Sequence, residues 1–422
     1  MNNDILSDFT LIIPTYNRTN NIRRLINYLE NKNVKFNIII LDSSTEKNKI
    51  ININLCETSS LKVRHHSFKE NIKTYYKFYL GTEEVETPYA AFCADDDIIF
   101  TETIEKCIRF LNTFIEFSAC HGSYINFQEN EEFEISSVYY SSPGNDESSA
   151  IERVKEGIQN YNLTFYAVHR TDILKKSLKL SSSFNELLFQ EIGASILTQM
   201  YGKIHRLKDF YMARNEDVSI ESKGWHPHQF IAQDAEYMFL EYKKYRQTLI
   251  EELQNFDNAI NNIKLSQADL AHILDIAHLT YLGPFLNKTI LNHTISEKLL
   301  GKEFNEIISS IWYHFVNGTK STRFRHNTYN YPPNKFVENK RKILLYLCKF
   351  LQGIGLPHSF IIRNKWLSPY MDLVYKVNLN NEVSRKYRFY DEFIYPELLN
   401  RSGKKLLQYE LNSIINHLNK YI

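Results

Sequence analysis

The chain has 422 residues, 43% hydrophobic and 23% charged, with only 13 Gly and 10 Pro. That balance excludes a collagen-like, low-complexity or largely disordered protein, and the length leaves room for two domains. The net charge of +1 hides an asymmetry, because residues 320–422 hold 18 Lys/Arg against 7 Asp/Glu, net +11, while residues 1–319 are net −10.

From the N-terminus, the apolar run Thr10-Leu11-Ile12-Ile13 predicts a strand, Ile22, Leu25, Ile26 and Leu29 a helix, and Phe36–Leu41 a second strand. Continuous Ile/Leu runs closed by polar turns suit a parallel sheet covered on both faces. A third strand is expected at Leu61–Arg64 and a helix from Lys69 to Glu84. Next comes Tyr89–Ala94, an apolar run that ends in Asp95-Asp96-Asp97 before Ile98-Ile99-Phe100. Thr101 is a suitable N-cap for a helix bearing Ile104, Ile108, Leu111 and Ile115 on one face, and a strand over Ser118–Phe127 follows. The stretch Ser136–Ser149, with Pro143-Gly144, reads as a loop. Further on, the pattern predicts a helix at Ile151–Gln159, a strand at Leu163–His169, a helix from Ser182–Glu186 to Met200, and a strand at Lys203–Met212. From about Ala232 it is mostly helical, so the expected division is 1–235 for an α/β domain and 236–422 for a helical one.

Three adjacent carboxylates at the end of a buried strand repel one another and are costly to desolvate, so such a cluster usually persists against a cation. The first two strands also end in polar segments, Pro14-Thr15-Tyr16-Asn17-Arg18 and Asp42-Ser43-Ser44. In an open α/β sheet, ligands collect outside the carboxyl ends of the strands. His65 and His66 have no acid near them in sequence and read as structural.

These three segments, in this order and spacing, resemble the inverting family-2 type of nucleotide-sugar glycosyltransferase with the GT-A (Rossmann-like) fold. The resemblance covers roughly residues 9–230. It implies that Pro14, Thr15, Tyr16, Asn17, Arg18 and Asp42 hold the nucleotide, and that Asp95 and Asp97 form the family's Asp-x-Asp motif. Asp97 would be the direct ligand of Mn²⁺ or Mg²⁺ and Asp95 would face the ribose or a metal-bound water. Asp96, a further donor-binding candidate, would point to the opposite side of an extended strand. Relatives also place a base at the start of a helix facing the sugar. Glu191 is the preferred candidate because it interrupts an apolar stretch, and Glu186 is the alternative. Arg214 resembles a position near the diphosphate, Trp225 could stack on a sugar, and His226 or His228 could complete the metal shell.

The expected activity is transfer of a sugar from a nucleotide donor, with UDP the expected nucleotide, to a hydroxyl of a glycan or lipid-linked glycan during surface-polysaccharide assembly. Two other readings stay open: a sugar nucleotidyltransferase, against which the glycine-free Pro14–Arg18 loop counts, and an inactive scaffold that binds glycan or membrane. Cys56, Cys93, Cys107, Cys120 and Cys348 are scattered and odd in number, and suggest reduced thiols in a cytoplasmic protein. Met1-Asn2-Asn3-Asp4 lacks a signal-peptide pattern, and no apolar run approaches the roughly 18–20 residues that span a bilayer. A soluble or peripheral protein is expected, without a nucleic-acid partner, its basic C-terminal region offering a surface for anionic lipid headgroups or an oligomer contact.

Overall fold

The computed structural model describes residues 5–129, 133–137, 144–159, 161, 164–215, 235–260, 265–275, 277–278 and 281. Among these, 5–215 and 241–267 belong to one compact unit, whereas 235–240 and 268–281 belong to a second.

The first unit is built on a nine-stranded mixed sheet. Its parallel half contains β1 (Phe9–Thr15), β2 (Asn37–Asp42), β3 (Val63–Ser67) and β4 (Tyr89–Phe92), side by side in the order β3-β2-β1-β4. The Ile/Leu runs of β1 and β2 are buried on both faces, as expected for strands covered by helices. Their register sets Thr15 beside Asp42 and Asp42 beside Ser67, so three polar residues share one row at the carboxyl edge. The chain leaves β1 toward β2 on one side and meets β4 on the other, which opens a crevice above β1.

Beyond β4 the sheet continues through β8 (Val168–Arg170), β6 (Phe117–Glu129), β9 (Lys203–Asn215) and the two-residue β5 (Ile98–Ile99), with β7 (Phe133–Ser137) also on β6. The short β5 runs antiparallel to β9, with Ile98 opposite Ala213. Arg214 of β9 is therefore brought level with Asp97.

The helices are α1 (Thr19–Asn31), α2 (Glu46–Thr58), α3 (Thr74–Glu83), α4 (Thr101–Thr113), α5 (Ala150–Gln159), α6 (Thr171–Ser181), α7 (Leu187–Tyr201) and α8 (Ala235–Ile260). On one side of the sheet, Phe92 stacks on Phe165 with centroids 4.6 Å apart, and Phe78 of α3 lies within 5.4 Å of both rings. In α8, the Tyr245 ring stacks on Phe189 of α7 at 5.1 Å. No helix among the described residues is long and apolar enough to cross a membrane. Cys56, Cys93, Cys107 and Cys120 are buried free thiols, while Cys348 lies outside the described residues.

Several expectations need correction. The third strand is Val63–Ser67, two to three residues later than the apolar pattern suggested, and α3 begins at Thr74 rather than Lys69. Phe100, not Thr101, occupies the N-cap of α4, and Ile115 lies past its end, 83% exposed. Of the strand expected at Leu163–His169 only its last part pairs, because a turn closed by Ala167 N–H to Thr164 C=O precedes β8. Part of the segment expected as loop, up to Ser137, is strand β7. The helices α2 and α6 had no counterpart in the apolar periodicity.

Candidate active site

The loops after β1 and β2 are tied together by Asn17. Its backbone is left-handed, φ 57°, a conformation Asn tolerates better than most side chains. Its N–H donates to Ser44 Oγ at 2.7 Å, while its Oδ1 accepts from Thr45 N–H and Asn48 Nδ2, each at 3.0 Å. The same loop leaves Tyr16 52% exposed and Pro14 half-buried.

Asp42 lies inside this junction rather than on its surface. One carboxylate oxygen accepts from Ser44 N–H at 2.7 Å, and the other faces Asn52 Nδ2 at 2.7 Å and His65 Nε2 at 3.1 Å. Burial alone would raise its pKa, but the hydrogen bonds from His65, Ser44 and Asn52 prevail and hold it at about 2. His65, read from sequence as lacking a matching acid, is thus the partner of Asp42, which neighbours it diagonally across β2 and β3.

The acid triplet forms the turn between β4 and β5, closed by Asp97 N–H to Ala94 C=O at 3.1 Å. Because this is a turn and not extended strand, alternation of side chains does not apply, and Asp96 does not point away from Asp95. Arg18 Nη1 reaches both, at 3.2 Å from Asp95 Oδ1 and 2.8 Å from Asp96 Oδ2. Thr15 donates its hydroxyl to Asp95 Oδ2 at 2.6 Å. From α1, Arg24 Nη2 donates to Asp96 C=O and the Tyr28 hydroxyl to Ile99 C=O, which latch the turn to the helix. Burial, reinforced by Asp96, pushes the Asp95 carboxyl up to about 6 despite Thr15 and Arg18.

Asp97 is the most enclosed of the three. Its Oδ1 accepts from Asn215 N–H at 3.0 Å, and its Oδ2 lies 3.7 Å from Arg214 Nε. Burial raises its pKa, with Arg214 opposing. The Arg214 guanidinium also lies 5.2 Å from the centroid of the Tyr166 ring, and its charge acts on Glu191. Glu191, in the second turn of α7, is pushed up to about 7 by burial, against Arg214 and a 3.4 Å hydrogen bond from the Tyr161 hydroxyl to Oε1. Its Oε2 is buried and has no hydrogen-bond partner among the described residues. Glu186, the alternative base, is the N-cap residue of α7 and half-buried. Arg214 thus lies beside Asp97, and its charge reaches Glu191.

A divalent cation is the group this arrangement implies. Asp97 Oδ2 is a buried carboxylate oxygen without a hydrogen-bond partner among the described residues, a hard donor of the kind Mg²⁺ and Mn²⁺ take. Among the described residues no three His, Cys, Asp or Glu side chains converge on one point. Trp225, His226 and His228 lie outside the described residues.

Sequence reasoning missed Lys77, Asn52, Tyr161 and Arg24. Lys77 interrupts an aromatic row and Asn52 an isoleucine-rich one, which was the available signal; Tyr161 carried none. An open cavity of about 430 Å³, lined by residues including Lys49, Ser67, Phe68 and Asn71, adjoins the Asp42 junction, where Phe68 N–H donates to Asp42 C=O.

Residues 10–178 match the family described as Glycosyl transferase family 2. No curated protein matches the chain in sequence. Among solved structures, Staphylococcus aureus TarS 1–349 is similar at 14% identity, over 89% of this chain and 91% of that one, with a TM-score of 0.43. The same fragment in complex with UDP-GlcNAc is similar at 15% identity, over 91% and 93% of the two chains, TM-score 0.41. The mannosyltransferase PcManGT from Pyrobaculum calidifontis, in complex with GDP-Man and Mn²⁺, is similar at 13% identity, over 72% and 84%, TM-score 0.37. The match covers the strand-end loops, the acid turn and the strands β1 to β8, and supports a family-2-like glycosyltransferase domain over residues 10–178.

Proposed function

We propose that this chain is a metal-dependent, inverting glycosyltransferase that moves a hexosyl or N-acetylhexosaminyl group from a nucleotide sugar, UDP-linked by preference, to a hydroxyl of a glycan or lipid-linked glycan. The observation that carries the reading is the convergence of Thr15, Arg18, Asp95, Asp96, Asp97 and Arg214 at one strand edge, with Glu191 within reach of the Arg214 charge. The family match favours glycosyl transfer over nucleotidyl transfer.

In this reading the loops fastened by Asn17 receive the nucleoside, with Tyr16 exposed for stacking and Asp42 holding the Ser43–Ser44 turn in shape from inside. Asp97 Oδ2, with Asp95, would hold Mn²⁺ or Mg²⁺, which when bound neutralises charge developing on the diphosphate. Arg18 and Arg214, now matched to the acids, are long enough to turn toward the phosphates as the cation takes over that role. The Glu191 carboxylate accepts the proton of the acceptor hydroxyl while its oxygen bonds to the anomeric carbon. The bond to the diphosphate breaks on the opposite face, and the electron pair departs with the leaving group. A buried carboxyl held near pH 7 is suited to that transfer, and in-line displacement inverts the anomeric centre.

The basic segment 320–422 supports a place on the cytoplasmic face of a membrane, near a lipid-linked acceptor. Vesicle flotation that is independent of anionic lipid would remove that part of the reading.

The central experiment incubates purified protein with UDP-GlcNAc or GDP-Man, with and without Mn²⁺, and measures release of the nucleoside diphosphate and thermal stabilisation. The parent should respond to at least one donor only with the metal, and Asp97→Ala should not. Metal-independent turnover, or an equal response from Asp97→Ala, would overturn the assignment of the acid turn.

A further inference from the structure

Lys77 belongs to α3, four residues before Gly81, so the two occupy one face of the helix. Gly81 lets that face lie directly on β2, where an added Cβ would meet Leu41 Cδ1 at 2.3 Å. One turn back, the same close approach carries Lys77 Nζ to 2.9 Å from Ser43 Oγ and 3.3 Å from Thr15 C=O. The residue is only 5% exposed, and Asp42 and Asp95 are the acids whose charges reach it. A buried ammonium is costly, and burial lowers the Lys77 pKa to about 8, while two oxygen acceptors place its protons and the charges of Asp42 and Asp95 oppose that cost.

Its two acceptors are not arbitrary. Thr15 is the residue whose hydroxyl holds Asp95, and Ser43 precedes Ser44, whose hydroxyl holds Asn17. Lys77 thus hydrogen-bonds to both strand-end segments.

We propose that Lys77 is a positioning residue of the nucleotide-sugar site: its ammonium fixes the spacing of the β1 and β2 ends and offsets Asp42 and Asp95, so that the loops above are preorganised for the nucleotide diphosphate. The inference rests on the donor reading given above. A Lys that served stability alone could be replaced at a cost in melting temperature without altering ligand affinity, whereas a positioning Lys sets affinity even in a folded variant.

The test titrates UDP and GDP, each with Mn²⁺, into the full-length parent, Lys77→Arg, Lys77→Met and Ser43→Ala by calorimetry, with melting curves for each. Turnover is then followed for whichever of UDP-GlcNAc and GDP-Man the parent uses. Lys77→Met should weaken nucleotide binding by about tenfold or more and raise donor KM in proportion, with kcat changed by less than about threefold. Lys77→Arg should recover much of the affinity, and Ser43→Ala, which removes one acceptor and little packing, should show a smaller loss in the same direction. Parent-like affinity in a folded Lys77→Met would overturn the proposal. Should Lys77→Met not fold, parent-like affinity in Ser43→Ala with Lys77→Arg would overturn it as well. A parent that binds neither nucleotide would instead refute the donor reading itself.

Discussion

Thr15 and Asp95, 80 residues apart in sequence, are joined by a buried hydrogen bond of 2.6 Å from the threonine hydroxyl to the carboxylate. It couples the end of β1 to the acid turn, and it favours the ionised form of Asp95 over the protonated one. Thr15→Val keeps the shape and removes the donor. The variant should lose about 1–3 kcal/mol of stability at pH 8, where Asp95 is a carboxylate, and less at pH 5, where it is mostly protonated. Urea denaturation at the two pH values measures this, and equal losses at both would show that the bond does not act through the charge.

Asp42 has the opposite titration behaviour. Its pKa in the fold, about 2, lies below the ordinary value of 3.8, so it contributes stability above roughly pH 4 that disappears as the pH falls through 2. Asp42→Asn keeps an acceptor for Ser44 N–H but forfeits the charge that Asn52 and His65 face. It should destabilise the protein by about 1–3 kcal/mol at pH 7 and by little at pH 2. Guanidinium midpoints at the two pH values decide the matter; a pH-independent difference would point to packing instead.

The strands β1 and β2 were legible because their physics is local, runs such as Ile38–Leu41 being buried on both faces, and the acid triplet stood out as three adjacent carboxylates closing an apolar run. By contrast α2 escaped detection because the helix buries Lys49, Asn52 and Cys56 while Ile50 is 67% exposed. Its inner face is polar for the sake of Asp42, which accepts from Asn52, so hydropathy periodicity fails where the site makes demands. The same holds for α6, which buries Thr171, Ser177 and Ser181 beside Leu174 and Leu178. The half-buried β3, Val63-Arg64-His65-His66-Ser67, offers no apolar run to fix its ends, and its His65–Asp42 contact exists only once two strands pair. Pairings of Arg18, Arg214 and Lys77 are likewise tertiary, and no spacing in one chain announces them.

Glu191 should show a conflict between stability and activity. Its carboxyl sits at about 7 in the fold against an ordinary 4.5, so stability is greatest below pH 4.5 for this group and falls as pH rises toward and through 7. Glu191→Gln removes that cost and keeps an oxygen for the Tyr161 hydroxyl. At pH 8 the variant should be more stable by about 1–3 kcal/mol, yet slower in transfer by about 10²–10⁴-fold. In the parent, turnover should rise with pH through about 7 as the carboxylate forms. Melting curves and initial rates of both proteins, with Glu186→Gln alongside, separate the outcomes. A large loss of rate in Glu186→Gln with none in Glu191→Gln would move the base to the N-cap of α7.

Arg153 governs the other end of α7. Its buried guanidinium donates to the carbonyls of Gln199 and Met200, in the last turn of that helix, and to those of Glu147 and Ser148 in the segment before α5. A cation at a helix C-terminus also meets the negative end of the dipole, so charge and hydrogen bonding act together. Arg153→Met preserves much of the volume but leaves four carbonyls without that donor, and α5 then loses its main polar tie to α7. The expected cost is about 3 kcal/mol at pH 7, visible as a lower urea midpoint. Because this end of α7 lies two turns from Glu191, affinity for UDP with Mn²⁺ in the folded variant should match the parent. A fall in affinity as large as that expected for Lys77→Met would mean that α7 transmits its C-terminal anchoring to the site, and the two ends of the helix could no longer be treated as independent.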